Sequence, residues 1–349
     1  MQTQQSLLDA PSISLPDWDA FINWQWESNR LLIGRSAGGM MSIDPEHDPH
    51  VMIAGTSGSG KTRHGLTILA AAALRLGWHV VILNRAGADF AALANHPNTT
   101  ILDGDDLPLK TLGAAAREVD RRNELLRERN VTTWSRMPDA DPRVLIIVDE
   151  LVSLAEGDAA REHSLDIWRA VVHIATAGRK CAIHFACATT DPTYKTLTRL
   201  GMVTRDNCAR IAFRLRSQQV IMPGGMPLDL TARRFLALTS AGNAPQPGAA
   251  FDPTDDQLSA FAHAIAPVAT PSFLAITTAA PSPLAAPPVA DPLVERATAL
   301  LAAEPNISKR KLCLELFGQP YGGSHAHKLD TLLTATTTAF QALSTTEAA

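Results

Sequence analysis

Lys61 and Thr62 end the run Val51–Thr62, VMIAGTSGSGKT, where a glycine-rich loop follows a short apolar segment. From Gly55 onward the run fits the phosphate-binding pattern G-x-x-x-x-G-K-[ST]. Glycines let a backbone wrap closely enough for its N–H groups to face phosphate oxygens, and a helix starting behind the loop adds a positive dipole end. Gly55, Thr56, Ser57, Gly58, Ser59 and Gly60 are therefore the expected phosphate cradle. Lys61 is expected to reach the β- and γ-phosphates and the Thr62 hydroxyl to hold Mg²⁺, which names ATP and Mg²⁺ as cofactors.

A second constellation lies at Arg143–Leu151, RVLIIVDEL, an apolar run that ends in adjacent carboxylates. Asp149 is expected to share the Mg²⁺ with Thr62. Glu150, next along, is the candidate base for an attacking water. The plainer alternative is a buried strand ending in a solvated acidic pair.

Both constellations need strands and helices to bring them together. Strand-like runs at Val51–Ala54, His79–Leu83, Val144–Val148, Ala182–Cys187 and Arg210–Leu215 alternate with helical patterns at Arg63–Leu76, Thr111–Asn130 and Asp166–Ala177. This alternation predicts an α/β fold: a doubly wound, mainly parallel sheet with the nucleotide at the strand carboxyl ends. The charges of Arg117–Arg129, with Glu118 four residues before Arg122, suit a solvated helix face with i,i+4 pairs.

The 349 residues suggest one large and one small domain, and 46% hydrophobic with 19% charged residues describes an ordinary chain with ample core. A net charge of −4 does not advertise a nucleic-acid partner, although a local basic loop would suffice. Cys181, Cys187, Cys208 and Cys313 form no C-x-x-C pair, so neither disulfides nor zinc are expected and a reducing cytoplasm fits best. No basic segment leads into an apolar core at the N-terminus, and no run reaches the ~18 apolar residues of a membrane helix.

Residues 1–30 are expected to form an arm carrying Trp18, Trp24 and Trp26, which pack it onto the main domain or form a subunit contact. Residues 31–265 form the expected main domain. Residues 266–290 are Ala/Pro-rich and free of Lys, Arg, Asp and Glu, as a semi-rigid linker would be. Residues 291–345 then read as a small, mostly helical unit. One helix covers Asp291–Glu304, a second is N-capped by Ser308 and ends at Gly318, and a third covers Ser324–Thr334. That is the outline of a helix-turn-helix or winged-helix domain, or of a generic helical cap. Lys309, Arg310, Lys311, His325, His327 and Lys328 concentrate positive charge there, and Lys309, Arg310, Lys311, His325 and Lys328 are the candidate DNA contacts.

With these segments in place, residues 31–260 or so resemble the motor domain of the FtsK/SpoIIIE DNA translocases, within the HerA–FtsK group of RecA-like ring ATPases. The resemblance rests on HVMIAGTSGSGKT (His50–Thr62), EVDRRNELLRERNV (from Glu118), RVLIIVDEL (Arg143–Leu151), IHFACATTDP (Ile183–Pro192), RIAF (Arg210–Phe213) and the segment Phe235–Leu258. It implies a RecA-like fold, a homo-hexameric ring around double-stranded DNA and ATP sites between subunits. It further implies an arginine reaching the neighbour's γ-phosphate. Arg179, in GRKCAIHF, falls where the family carries that residue, and Arg210 is the second choice.

Two departures stand out. Thr190 occupies the position of the family's γ-phosphate-sensing glutamine, followed by Asp191 where arginine is common. Asn84-Arg85-Ala86 replaces an aspartate-proline-lysine turn. The expected function is ATP-dependent translocation of double-stranded DNA, with the chain acting as a free motor of plasmid, phage or mobile-element type. An ATP-gated DNA-binding switch without directional movement, motivated by Thr190, stays open beside it. So does a secretion-type coupling ATPase.

Overall fold

In the computed structural model, the described residues are 13–26, 29–83, 89–102, 107–138, 140–156, 163–190, 192, 208–216, 221–223, 228–239, 244–271, 273–274, 300 and 308–317. The chain divides into two compact units, Met1–Thr278 and Ala279–Ala349.

The first unit is built on a ten-stranded sheet. Its strands are β1 Leu31–Ser36, β2 Gly39–Ile43, β3 His50–Ala54, β4 His79–Leu83, β5 Thr99–Leu102, β6 Val144–Val148, β7 Ile183–Thr189, β8 Cys208–Ala212, β9 Arg234–Leu238 and β10 Gln246–Ala249. They lie in the order β2-β1-β10-β9-β8-β3-β7-β6-β4-β5. From β8 to β5 all neighbours are parallel, and from β8 to β2 all are antiparallel. The sheet is thus mixed but mostly parallel, as the sequence pattern predicts.

Strands β3, β4, β6 and β7 are buried at every residue, which explains their unbroken apolar sequences: a parallel strand covered on both faces has no polar side to show. One face carries α1 Trp18–Ile22, α2 Thr67–Arg75 and α6 Asp255–Ala264. The other carries α3 Leu107–Glu128, α4 Leu151–Glu156 and α5 Ser164–Ala177. Because β7 lies between β3 and β6, the phosphate loop and the acidic pair flank its carboxyl end.

The described residues of the N-terminal arm pack onto this unit. Asp17 caps α1 by accepting from the Ala20 amide at 2.8 Å. Trp18 stacks on Phe21 with centroids 4.3 Å apart, and Phe21 meets Phe251 and Phe261 edge-on. Beyond α6, the start of the segment read as a linker is also packed. Asn98 grips Val268 through both backbone groups at 2.7 Å, and Phe273 and Leu274 are buried in the core.

In the second unit the described helix is α7 Lys309–Phe317. Ser308 accepts from the Lys311 amide at 3.3 Å, as its expected N-cap role requires. Leu312, Cys313 and Leu316 are buried, while Lys309 and Lys311 are exposed. His325, His327, Lys328 and the side chain of Arg310 lie outside the described residues, as do most of Asp291–Glu304 and all of Ser324–Thr334.

Candidate nucleotide site

The loop 55–60 leaves β3 and feeds a π-helical turn, Lys61–Leu66, that continues into α2. Gly58 and Gly60 have φ of 71° and 101°, a region costly for residues bearing a Cβ. At Gly60 a Cβ would also collide with the His64 ring. The loop is tied down from β7 and from the segment that follows β8. Gly55 donates its N–H to the Thr189 carbonyl at 3.2 Å, and Thr56 donates its N–H to the Arg214 carbonyl at 2.9 Å. Phe213 packs beneath Gly55 and Gly65, which gives the RIAF segment a supporting task.

The turn is π-helical at a point where its side chains are pulled outward. Arg63 bonds to Asp255 and to the Pro253 carbonyl, and His64 Nε2 lies 3.0 Å from Asp252 Oδ1. An opened turn is common at functional sites. The first N–H groups behind Gly60 have no intrahelical acceptor and are available to an anion.

Thr62 Oγ1 donates to Asp149 Oδ1 at 2.9 Å, joining the two motifs across 87 residues of sequence. Lys61 is 9% exposed; burial lowers its pKa, opposed by the carboxylates of Glu150 and Asp149. Burial raises the pKa of Asp149; the Thr62 hydrogen bond opposes the shift and Asp89 adds to it. Glu150 sits at φ 71°, a strained conformation for a residue with a side chain. Its Oε2 and Oε1 accept from the Thr190 amide at 3.0 and 3.2 Å. Lys61, Thr62, Asp149, Glu150 and Thr190 therefore gather at the ends of β3, β6 and β7.

The residues fit a magnesium nucleotide. The Ser59 hydroxyl is buried inside the loop with no partner, so it has a hydrogen bond to give. Thr62 and Asp149 present adjacent oxygens of the kind Mg²⁺ takes. Lys61 would offset the phosphate charge.

The two candidate arginines are elsewhere. Arg179 is exposed on a 3₁₀ turn, Arg179–Cys181, at the amino end of β7, and its Nη1 donates to the Glu46 carbonyl at 3.2 Å. Arg210 projects from mid-β8, half-buried, and donates to the Ile221 carbonyl at 3.2 Å. Of the replaced turn, Asn84, Arg85 and Ala86 lie outside the described residues, as does Asp191.

Residues 18–141 match the FtsK/SpoIIIE family model. That match marks a domain of the FtsK/SpoIIIE type. This domain is 27% identical over 230 residues to DNA translocase FtsK of Helicobacter pylori, covering 61% of the chain and 26% of that relative. It is 26% identical over 196 residues to DNA translocase SftA of Bacillus subtilis, covering 52% and 20%. The chain spans about a quarter of the length of the curated relatives it matches.

Solved structures share its fold. The pCW3 conjugation coupling protein TcpA with ATPγS superposes with TM-score 0.56 at 20% identity, over 66% of this chain and 68% of that one. The type VII secretion ATPase EccC of Thermomonospora curvata superposes with TM-score 0.56 at 21% identity, over 76% and 34%. Both share the fold, a large and mostly parallel mixed sheet with helices. Among the described residues no helix is long and apolar enough to cross a membrane.

Sequence reasoning missed three supports of this FtsK/SpoIIIE-type site. They are the Arg214 carbonyl under Thr56, the Asp252–Asp255 turn that holds Arg63 and His64, and the carboxylate of Asp89 near Asp149. Each is a contact between distant parts of the chain, with no local motif to announce it.

Proposed function

We propose that the protein hydrolyses the β–γ phosphoanhydride of ATP to move along or pump double-stranded DNA, as a homo-hexamer. The observation that carries this reading is the Thr62–Asp149 hydrogen bond, flanked by Lys61 and Glu150. When bound between Thr62 and Asp149, Mg²⁺ supplies charge neutralisation at the phosphates. The loop amides and Lys61 bind the phosphate oxygens. Glu150 orients water and takes its proton at a carboxylate oxygen. Thr190 restrains that carboxylate through its backbone N–H.

Arg179 acts in trans in this proposal. Its turn and Thr190 stand at opposite ends of β7, whose seven residues span roughly 20 Å. Its own subunit's loop is out of reach, so the phosphates it serves belong to a neighbour. The second unit, with Lys309, Arg310, Lys311, His325 and Lys328, is proposed as a helix-turn-helix or winged-helix-like DNA contact. The proposed setting is the cytoplasm, in a plasmid, phage or other mobile element, as the sequence reading expects.

The test is ATPase rate against duplex length, on wild type and Glu150→Ala. A rise with length that the variant abolishes supports translocation, and no stimulation by duplex DNA overturns it. A second reading, the ATP-gated DNA-binding switch, is favoured by the engagement of Glu150 with Thr190. Triplex displacement separates the two, because only a translocating motor strips the third strand.

A further inference from the structure

The segment Glu118–Arg122 carries part of the family resemblance, yet its side chains lie away from the phosphate loop. Arg122 is fully buried in α3. Its Nε donates to Glu118 Oε1 at 2.7 Å, and its guanidinium lies 4.5 Å from the Trp134 ring centroid. Its Nη1 donates to the Cys181 carbonyl at 2.9 Å, in the turn that begins at Arg179. Glu118 is also buried and takes a forked pair from Arg121, both bonds 2.7 Å.

Burying such a pair is an expensive way to stabilise a core, since apolar residues of similar volume often do as well or better. What a buried guanidinium offers is direction: its fork fixes two acceptors in one plane. Here the close acceptors are Glu118 on its own helix and the Cys181 carbonyl across the layer, with the Pro142 carbonyl at 3.5 Å from both Nη1 and Nη2. We propose that Arg122 is a positioning residue for Arg179, holding the turn 178–182 so that the exposed guanidinium is presented to the adjacent subunit. The proposal rests on the reading of Arg179 as the arginine given in trans.

Four further observations show that this turn is built rather than loose. Gly178 has no room for a Cβ, which would collide with the carbonyl oxygens of Ile174 and Ile183. Ala182 is held at φ 57°, a left-handed conformation that residues with a Cβ seldom adopt. Cys181 Sγ donates to the Val119 carbonyl at 3.4 Å, a second tie between the turn and α3. On its far side, Arg179 rests on the Glu46 carbonyl, and Glu46 is itself paired with Arg143 at 2.7 Å. The turn is therefore gripped from α3 and from the β2–β3 connection.

The test is complementation in mixed assemblies of full-length chains. Arg122→Lys keeps the charge but cannot fork to both acceptors. It is expected to lower DNA-stimulated kcat on the order of 10- to 100-fold, as a displaced catalytic group does, with KM for ATP within about twofold. Mixed with Lys61→Ala chains it is expected to regain activity, because each variant supplies what the other lacks: an intact phosphate loop or an intact turn. Arg179→Ala is expected to behave the same way. Gly178→Ala displaces the turn from its other side and decides the matter if Arg122→Lys does not fold. Wild-type kcat in Arg179→Ala overturns the reading of Arg179, and this proposal with it. Loss in Arg179→Ala with wild-type kcat in both Arg122→Lys and Gly178→Ala overturns this proposal alone. So does rescue of Arg179→Ala by Lys61→Ala chains without rescue of Arg122→Lys, which would make Arg122 a general folding residue.

Discussion

Glu150 Oε2 lies 3.0 Å from the amide nitrogen of Thr190, so the candidate base is restrained by the backbone just past the end of β7, the strand between the two nucleotide motifs. The donor is a main-chain N–H, which any residue except proline would supply. The Thr190 side chain is exposed and contributes nothing to that bond. Thr190→Ala is therefore expected to change kcat for ATP by less than about threefold, whereas Glu150→Ala should lose about 10²- to 10⁴-fold. Steady-state ATPase assays of both variants check this. A large loss in Thr190→Ala would assign the role to the hydroxyl instead.

Asp149 carries a cost in the ligand-free protein. Burial holds its carboxyl above the usual carboxylate range. A raised acid favours folding below its unfolded pKa, and that contribution is lost as pH rises through the folded value. At neutral pH the ionised group thus works against the fold. Asp149→Asn keeps an acceptor for Thr62 and removes the charge. Without nucleotide at pH 7.5 its Tm should rise by about 2 °C or more, while Mg²⁺-dependent hydrolysis is lost. A lower Tm in differential scanning calorimetry would contradict this account.

Burial pushes three histidines down: His50 and His184 to about 3, and His79 to about 4. They fold neutral, whereas the unfolded chain protonates them near pH 6.5. Their stabilising contribution is present above that value and is lost as pH falls from about 6.5 toward the folded values. The loss amounts to roughly 1 kcal/mol per histidine by pH 5.5. Tm measured from pH 7.5 to 5 should fall steadily, and a flat profile would show that the three imidazoles are not held neutral.

Asp252 links the phosphate loop to the arm. One carboxylate oxygen meets His64, whose ring sits beneath Gly60, and the other lies 3.9 Å from Arg233. Arg233 in turn donates to the Pro16 carbonyl at 3.1 Å. Asp252→Ala should weaken ADP binding by about threefold to tenfold in a calorimetric titration, since one such hydrogen bond contributes about 1 kcal/mol. It should also speed proteolysis within residues 13–26. Unchanged affinity and cleavage would reduce the contact to a surface ion pair.

Much of the parallel half of the sheet was legible because its strands are apolar on both faces. The runs at His79–Leu83 and Val144–Val148 coincide with β4 and β6. β7 extends two residues past the expected Cys187 to Thr189, since Ala188 and Thr189 carry little strand signal of their own. The antiparallel strands β1, β2 and β10 went unread: Gly34 interrupts the first, and β10 reads QPGA. The expected helix from Arg63 begins instead as a π-helical turn because Arg63 and His64 are bonded to residues about 190 positions away. Lys61, Thr62, Asp149 and Glu150 were legible because their spacing is itself the chemistry. The Thr190 amide was not, because a backbone donor has no letter in the sequence.

The separation of Arg179 from the phosphate loop along β7 also limits the symmetry open to an assembly that uses both. A two-fold contact can join the two only by running the β7 strands of a pair antiparallel across the axis, which serves both sites and closes the assembly at two copies. In a head-to-tail contact donor and recipient surfaces are different faces of one subunit, and each copy passes its arginine onward in a single rotational sense. Such contacts are heterologous. They close into a cycle or propagate as a helix, and every subunit added to an open chain leaves one unserved site at one end and one idle arginine at the other.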